Sequence, residues 1–195
     1  MPGFGWLVSL MSLVYYGSLV GYFFQIIAYV GDGGRGLPGA SDLLGDVPSL
    51  LRMSARGWVC SLVGLAPFLV WFYGLRDAST PASPSIMALT LALGLAYMPA
   101  ALVAVVLTSS TLGALYPVAW VQIIARAPAS YAQLVGLFAL GGAVFFAARL
   151  LTLTLAFVPI LGVYAGTVLT TLLWMVQAAI VGGFLRRHAH DFGYA

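Results

Sequence analysis

The stretch Ile86 to Thr108, IMALTLALGLAYMPAALVAVVLT, contains no charged residue, and its reading decides the fold. Crossing the hydrocarbon core of a bilayer as an α-helix takes roughly 20 predominantly apolar residues, and this run has them. Pro99 lies inside it. In a membrane bundle, neighbouring groups take up the backbone groups that a proline frees, so Pro99 marks a bend rather than an end. Working outward, comparable runs occupy residues 4–30, 57–75, 131–157 and 163–185. The first is rich in aromatic residues (Trp6, Tyr15, Tyr16, Tyr22, Phe23, Phe24, Tyr29) and has length to spare for tilt; its Gly17 and Gly21 also permit a re-entrant hairpin. The second contains Pro67 and stops at Arg76-Asp77, and a tight turn, Val158-Pro159-Ile160-Leu161-Gly162, joins the last two.

Two segments between these runs are amphipathic. Residues 41–56 hold Asp42, Asp46, Arg52 and Arg56 among Leu43, Leu44, Val47, Leu50, Leu51 and Met53, and residues 113–128 hold Trp120, Gln122 and Arg126, with Pro117 opening a helix and Pro128 closing it. Each reads as a short helix lying in the membrane interface. Glycines at 31, 33, 34, 36 and 39, with Pro38, make a polar turn segment after the first run. The expected fold is therefore all-α: a polytopic transmembrane helical bundle of about five spans plus two interfacial amphipathic helices, forming a single integral membrane domain over 1–195.

Composition agrees. The chain is 62% hydrophobic and 7% charged, whereas a soluble domain carries roughly a quarter charged residues. Too little charge is present to cover a globular surface, so most of the chain must be solvated by lipid. The net charge of +3 comes from arginine without lysine, against aspartate without glutamate. These arginines are scattered between apolar runs rather than clustered on one face, which argues against nucleic acid as a partner. They serve orientation instead. With the N-terminus outside, the inner side holds Arg35, Arg52, Arg56, Arg126, Arg186 and Arg187, and the outer side Arg76; that asymmetry satisfies the positive-inside rule and sets the C-terminus in the cytoplasm. Arginine used in place of lysine, with abundant alanine and glycine, points to a GC-rich bacterial genome, and the expected location is a bacterial cytoplasmic membrane. No Lys or Arg precedes the first run, so it reads as a retained span, not a cleaved signal. The single cysteine, Cys60, reads as packing.

Lipid tails are as apolar as leucine, so spans associate through small residues and shared polar groups. Gly17 with Gly21, and Gly162 with Gly166, stand four apart; Ala178 with Gly182, and Ala179 with Gly183, repeat the spacing, and the fourth run offers Gly141 and Gly142. These are candidate packing positions, either within the bundle or in a homo-oligomer. Ser61-Leu62-Val63-Gly64-Leu65 returns as Gln133-Leu134-Val135-Gly136-Leu137, each after an Arg-bearing segment, which would fit a parallel internal repeat.

Arg149 is the one charge inside a span. A charged side chain at the bilayer centre costs on the order of 2.5–3.5 kcal/mol on insertion scales. Arg149 either contacts a lipid headgroup, substrate or partner on the outer side, or snorkels or pairs internally, with Gln177 and Gln25 as the nearest candidates for a polar partner. No acidic residue lies inside a span, which argues against a proton-relay pump. Catalytic signatures are missing: there is no GxSxG, no phosphate loop ending in lysine and no HExxH. His188 and His190 with Asp191 do not form a metal cluster by spacing, since structural zinc takes four ligands. The expectation is no enzyme, no metal and no cofactor.

Gly21-Tyr22-Phe23-Phe24-Gln25-Ile26-Ile27, followed by the glycine-rich break and Leu37-Pro38, resembles an uncharacterised prokaryotic family of polytopic membrane proteins with Gly-Tyr and Leu-Pro motifs. Ile123-Ile124-Ala125-Arg126-Ala127-Pro128-Ala129-Ser130-Tyr131 and Val158-Pro159-Ile160-Leu161-Gly162 are similar to its later motifs. The chain departs from the family at Ala40-Ser41-Asp42, where an acid-tryptophan pair is usual. The resemblance implies a multi-span helical architecture and no assigned activity. Two functions stand as expectations: a non-enzymatic scaffold, assembly or partner-binding membrane subunit, whose partners are membrane lipid and a membrane protein or a second copy; or a small transporter or permease-like subunit with a pathway near Arg149. The first expects a dry, filled bundle. The second expects a polar cavity at mid-depth.

Overall fold

Prolines open four of the helices, because the first helical position needs no backbone donor and proline's fixed φ suits it. The elements are α1 (Gly3–Gly31), α2 (Val47–Gly74), α3 (Pro84–Thr108), α4 (Thr111–Leu115), α5 (Pro117–Arg126), α6 (Pro128–Thr154), α7 (Pro159–Arg187) and α8 (Ala189–Phe192). This computed structural model describes residues 3–35, 37–39, 47–74, 84–154 and 159–193, and within the helices the surroundings of some residues, Arg149 and Gly162 among them, are outside the described set. The described residues contain no strand, and the fold is an all-α bundle. Four helices contain windows long and apolar enough to cross a membrane: Val14–Gly31, Ser85–Thr108, Pro128–Thr152 and Tyr164–Arg187. By length and composition these helices suit a membrane protein.

α2 is continuous from Val47 to Gly74, so Arg52 and Arg56 continue without a break into the second apolar run rather than standing on a separate interfacial helix. Asp42, Asp46, Arg76, Asp77 and the loop up to Ser83 lie outside the described residues.

α1 is the hub. It packs on α2 and on α7, α7 packs on α6, α2 on α3, and α3 receives α4, α5 and α6. The directions of these pairs follow from which residues meet. Gly182 faces the Ile27 carbonyl and Gly31 faces Leu185, while Phe23 stacks edge-on against Trp174 at 6.3 Å; α1 and α7 therefore run the same way. Gly141 meets Gln177 and Gly166 meets Thr152, so α6 runs against α7. Gly17 meets Ser54, and Gly57 meets Val20 and Phe24, so α2 rises with α1 where they touch.

Strict up-and-down alternation would set α2 against α1. The difference lies in residues 32–35 and 37–39, which return along α1: the Tyr22 hydroxyl donates to the Pro38 carbonyl at 3.2 Å, and Pro38 is buried. Tyr22 precedes Gly31 by two and a half turns, about 13 Å at 1.5 Å per residue. Non-helical backbone at such depth is stable only where protein or water satisfies it, and here α1 does so. Gly33 (φ +92) supplies the left-handed residue at the start of the return. α2 and α6 consequently run in opposite directions, which removes the parallel repeat suggested by residues 61–65 and 133–137.

A second reversal follows α3. Thr108 caps its own helix by donating to the Ala104 carbonyl at 2.8 Å, Ser109 takes φ +50, and the Ser110 hydroxyl accepts from the Leu112 N–H at 3.2 Å to start α4. Gly113 sits so close to Thr108 that a Cβ there would lie 2.2 Å from the Thr108 hydroxyl. α5 then climbs back beside α3, with Trp120 edge-on to Tyr97 at 5.8 Å.

Candidate functional site

The C-terminal half of α3 is the centre of the bundle. Ala100, Ala101 and Val103 are fully enclosed, Ala104 and Val105 almost so, and Ile26, Ile27, Cys60, Ala178, Val181 and Leu185 from α1, α2 and α7 share that core. The helix enters this region through Pro99, whose missing N–H frees the Leu95 carbonyl, and the next donor and acceptor along the helix bond a side chain from α6. The Ala100 N–H donates to the Tyr131 hydroxyl at 3.2 Å, and the same hydroxyl donates to the Ala96 carbonyl. A side chain from α6 is thus inserted between a donor and acceptor that would pair directly in an unbroken helix, one of the known causes of a helix bend. Nothing in the sequence assigned this role to Tyr131; the only signal was that a proline within a span needs a partner from elsewhere.

Beside this core lies a cavity of about 190 Å³, lined by residues of all five long helices, including Phe24, Ser61, Leu102, Phe138, Trp174 and Gln177. Its walls are mostly apolar. Gln177, named from the sequence as an intramembrane polar residue, turns its amide towards the α6 backbone and donates to the Phe138 carbonyl at 3.4 Å, with Gly141 leaving the room it needs. Gln25 does not join it: its Oε1 is buried without a hydrogen-bond partner among the described residues. By helical spacing Gln25 lies one turn from Tyr22 and Tyr29, the two α1 residues against which the returning segment packs through Pro38 and Gly34.

Arg149 lies on α6 between Gly141 and Thr152, towards the end of the bundle away from Arg187, and its side chain is outside the described residues. The packing glycines divide. Gly17 and Gly21 are buried, with Gly17 facing Ser54 of α2; Gly166 faces Thr152, and Gly141 faces Gln177. Gly142 faces open space, and the side of α7 at Gly162 is outside the described residues. In the later part of α7 the two small-residue rows part company: Ala178 is fully buried and Gly182 packs on α1, whereas Gly183 has nothing within 4 Å of where its Cβ would stand.

The arginines also divide. Gly33 lies beside the Arg186 guanidinium, and Arg126 donates to the Asp191 carbonyl at 2.8 Å, so Arg126, Arg186, Arg187 and α8 mark one end of the bundle. There His188 packs between Phe184 and Phe192, with ring centroids 5.1 and 6.1 Å away, and its Nδ1 meets the Asp191 carboxylate at 2.9 Å. Arg52 and Arg56 belong elsewhere, since the α2 residues beside them, Ser54 and Gly57, meet α1 at Gly17–Phe24, about two and a half to four and a half turns before Gly33. The expected grouping of six arginines on one side therefore separates, because α2 rises alongside α1 instead of starting where α1 ends. The Arg56 Nε is buried without a hydrogen-bond partner among the described residues. Those residues contain no group of three or more His, Cys, Asp or Glu side chains able to hold a metal.

No protein-family model, curated protein or solved structure matches this chain.

Proposed function

We infer that this protein is a non-enzymatic integral membrane subunit that acts by binding lipid and a membrane-protein partner, as a scaffold or assembly factor. The observation that carries this reading is the apolar character of the cavity where the five long helices converge. A solute pathway needs polar, water-accessible groups at mid-depth, whereas here Gln177 turns to a backbone carbonyl and Ser61 is its main polar companion. The cavity walls are mainly aliphatic and aromatic side chains, which favours a structural subunit over a solute pathway. The four-arginine end, with Arg35, Arg126, Arg186 and Arg187, is the cytoplasmic end of a bacterial inner-membrane protein by the positive-inside rule, and the start of α1 lies at the opposite end.

The surface offered to a partner is the outer face of α6, where Leu140 is 60% and Leu151 57% exposed on a helix whose other face rests on α7. Photo-crosslinking residues at Leu140 and Leu151, introduced one at a time and activated in native membranes, test the reading. Both positions are expected to give the same discrete protein adduct, another membrane protein or a second copy of this chain, while Leu89 and Leu93 on α3 give lipid adducts. Lipid adducts alone at all four positions would remove the partner-binding function. Solute flux in proteoliposomes that Arg149→Leu abolishes would install the transporter in its place.

A further inference from the structure

At the basic end, α6 and α7 part to leave a groove of about 260 Å³ lined by Ser130, Gln133, Leu134, Leu137, Ile180, Gly183, Phe184 and Arg187. Its chemistry is graded along its length. Ser130, Gln133 and Arg187 stand at the mouth, and the floor beyond them is Leu134, Leu137 and Ile180. On α7, Arg187, Gly183 and Ile180 follow one another at helical spacing down a single face, and Ser130, Gln133 or Leu134, and Leu137 do the same on α6. From Arg187 to Ile180 the groove descends about 10 Å into the apolar window at 1.5 Å per residue. Gly183 keeps it open, because nothing lies within 4 Å of where its Cβ would stand.

We propose that this groove is a binding site for one anionic phospholipid, its phosphate held by Arg187, Gln133 and Ser130 and its acyl chain lying over Leu137, Gly183 and Ile180. The charge at the mouth decides the class of lipid. Arg187 is exposed and has no hydrogen-bond or ion-pair partner among the described residues, and the Asp191 carboxylate nearby is taken up by His188. A guanidinium presents paired donors that match phosphate oxygens, and the Gln133 amide and Ser130 hydroxyl add neutral donors. A net anionic headgroup keeps this attraction, whereas a choline headgroup brings its own cation to the same place. The trough below the mouth, lined by Leu134, Leu137, Ile180 and Phe184, is apolar and suits an acyl chain. The site stands independently of the partner-binding function.

The test uses the full chain, purified in mild detergent, delipidated and titrated with phosphatidylglycerol or phosphatidylcholine while bound lipids are counted by native mass spectrometry. Wild type should bind the first phosphatidylglycerol several-fold more tightly than phosphatidylcholine. Arg187→Gln should weaken phosphatidylglycerol about five-fold, the effect of one basic residue at an anionic headgroup, and should erase the preference. Gly183→Phe, which fills open space, should weaken both lipids while leaving the melting temperature unchanged. Arg35→Gln, at the same end outside the groove, should leave the first binding event as it is. Equal affinity for the two lipids in wild type, or an equal loss from Arg35→Gln and Arg187→Gln, would overturn the site. So would a Gly183→Phe chain that keeps its lipid affinity and loses a dimer or a partner instead.

Discussion

α3 and α6 are alike by composition and opposite in circumstance. Their membrane windows, Ser85–Thr108 and Pro128–Thr152, have the same mean hydropathy of 2.1, yet 39% of the first is buried inside the protein and 6% of the second. α3 is surrounded by α2, α4, α5 and α6, whereas α6 rests chiefly on α7 and leaves much of the remainder of its circumference exposed. Since lipid and protein interior are both apolar, burial carries no hydrophobic reward here, and close packing and hydrogen bonds decide which helix is enclosed. α3 has both: alanines at 100, 101 and 104 that let neighbours approach, and backbone groups beside Pro99 that bond the Tyr131 hydroxyl. α6 supplies that hydroxyl from its first turn, and its outer face is free.

This contrast can be broken most directly at a closed seam. A Cβ at Gly182 would stand 2.8 Å from the Ile27 carbonyl and from Val30, so Gly182→Val must push α7 off α1. Overpacking of this kind costs about 1–3 kcal/mol, and the unfolding midpoint in an SDS titration should fall accordingly; a midpoint like that of wild type would mean the seam is looser than described. Next comes Tyr131→Phe, which keeps the ring against Phe184 but removes the hydroxyl between Ala100 and Ala96. Leaving buried backbone groups unpaired costs about 1–3 kcal/mol, with the direct Ala100–Ala96 bond able to recover part of it, so a smaller drop is expected. Amide exchange at Ala100 should accelerate at the same time, and unchanged exchange would show that the hydroxyl is not inserted.

Arg126→Gln should have a local effect. Its guanidinium ties α5 to the Asp191 carbonyl at an exposed position, so global stability should shift by no more than about 1 kcal/mol while amide exchange over residues 189–192 rises. Protection that stays the same would mean that the Phe184–His188–Phe192 stack holds α8 alone. The smallest effect belongs to the open side. Gly142 faces empty space on α6, and alanine is the better helix former by up to about 1 kcal/mol, so Gly142→Ala should be neutral or slightly stabilising. A marked loss there would make the outer face of α6 a packed surface and sharpen the case for a bound partner.

Part of the site was legible in the chain. Gly17 with Gly21 and Gly162 with Gly166 were readable as packing residues because small residues four apart share a helix face, and Gly141 as a small residue of the fourth run; Gly17 meets Ser54, Gly141 meets Gln177 and Gly166 meets Thr152. Gln177 was readable as polar and intramembrane, but its acceptor, a carbonyl on a neighbouring helix, was not. Tyr131 stayed hidden because a tyrosine near a membrane boundary ordinarily reads as an interfacial anchor. Arg52 and Arg56 were grouped with the arginines of the basic end because loops were counted as simple turns, whereas Tyr22 holds Pro38 well back along α1.

By itself the sequence determined the solvent and the helices: long uncharged runs cannot be covered by so few charges in water, and in lipid a backbone has to close its hydrogen bonds internally. Only the tertiary structure decided which of two equally apolar helices is enclosed, where Pro99 finds its partner, and that α2 rises beside α1. Hydropathy is a local property, summed over neighbours in the chain, whereas enclosure in an apolar solvent depends on shape and on hydrogen bonds between residues far apart in it.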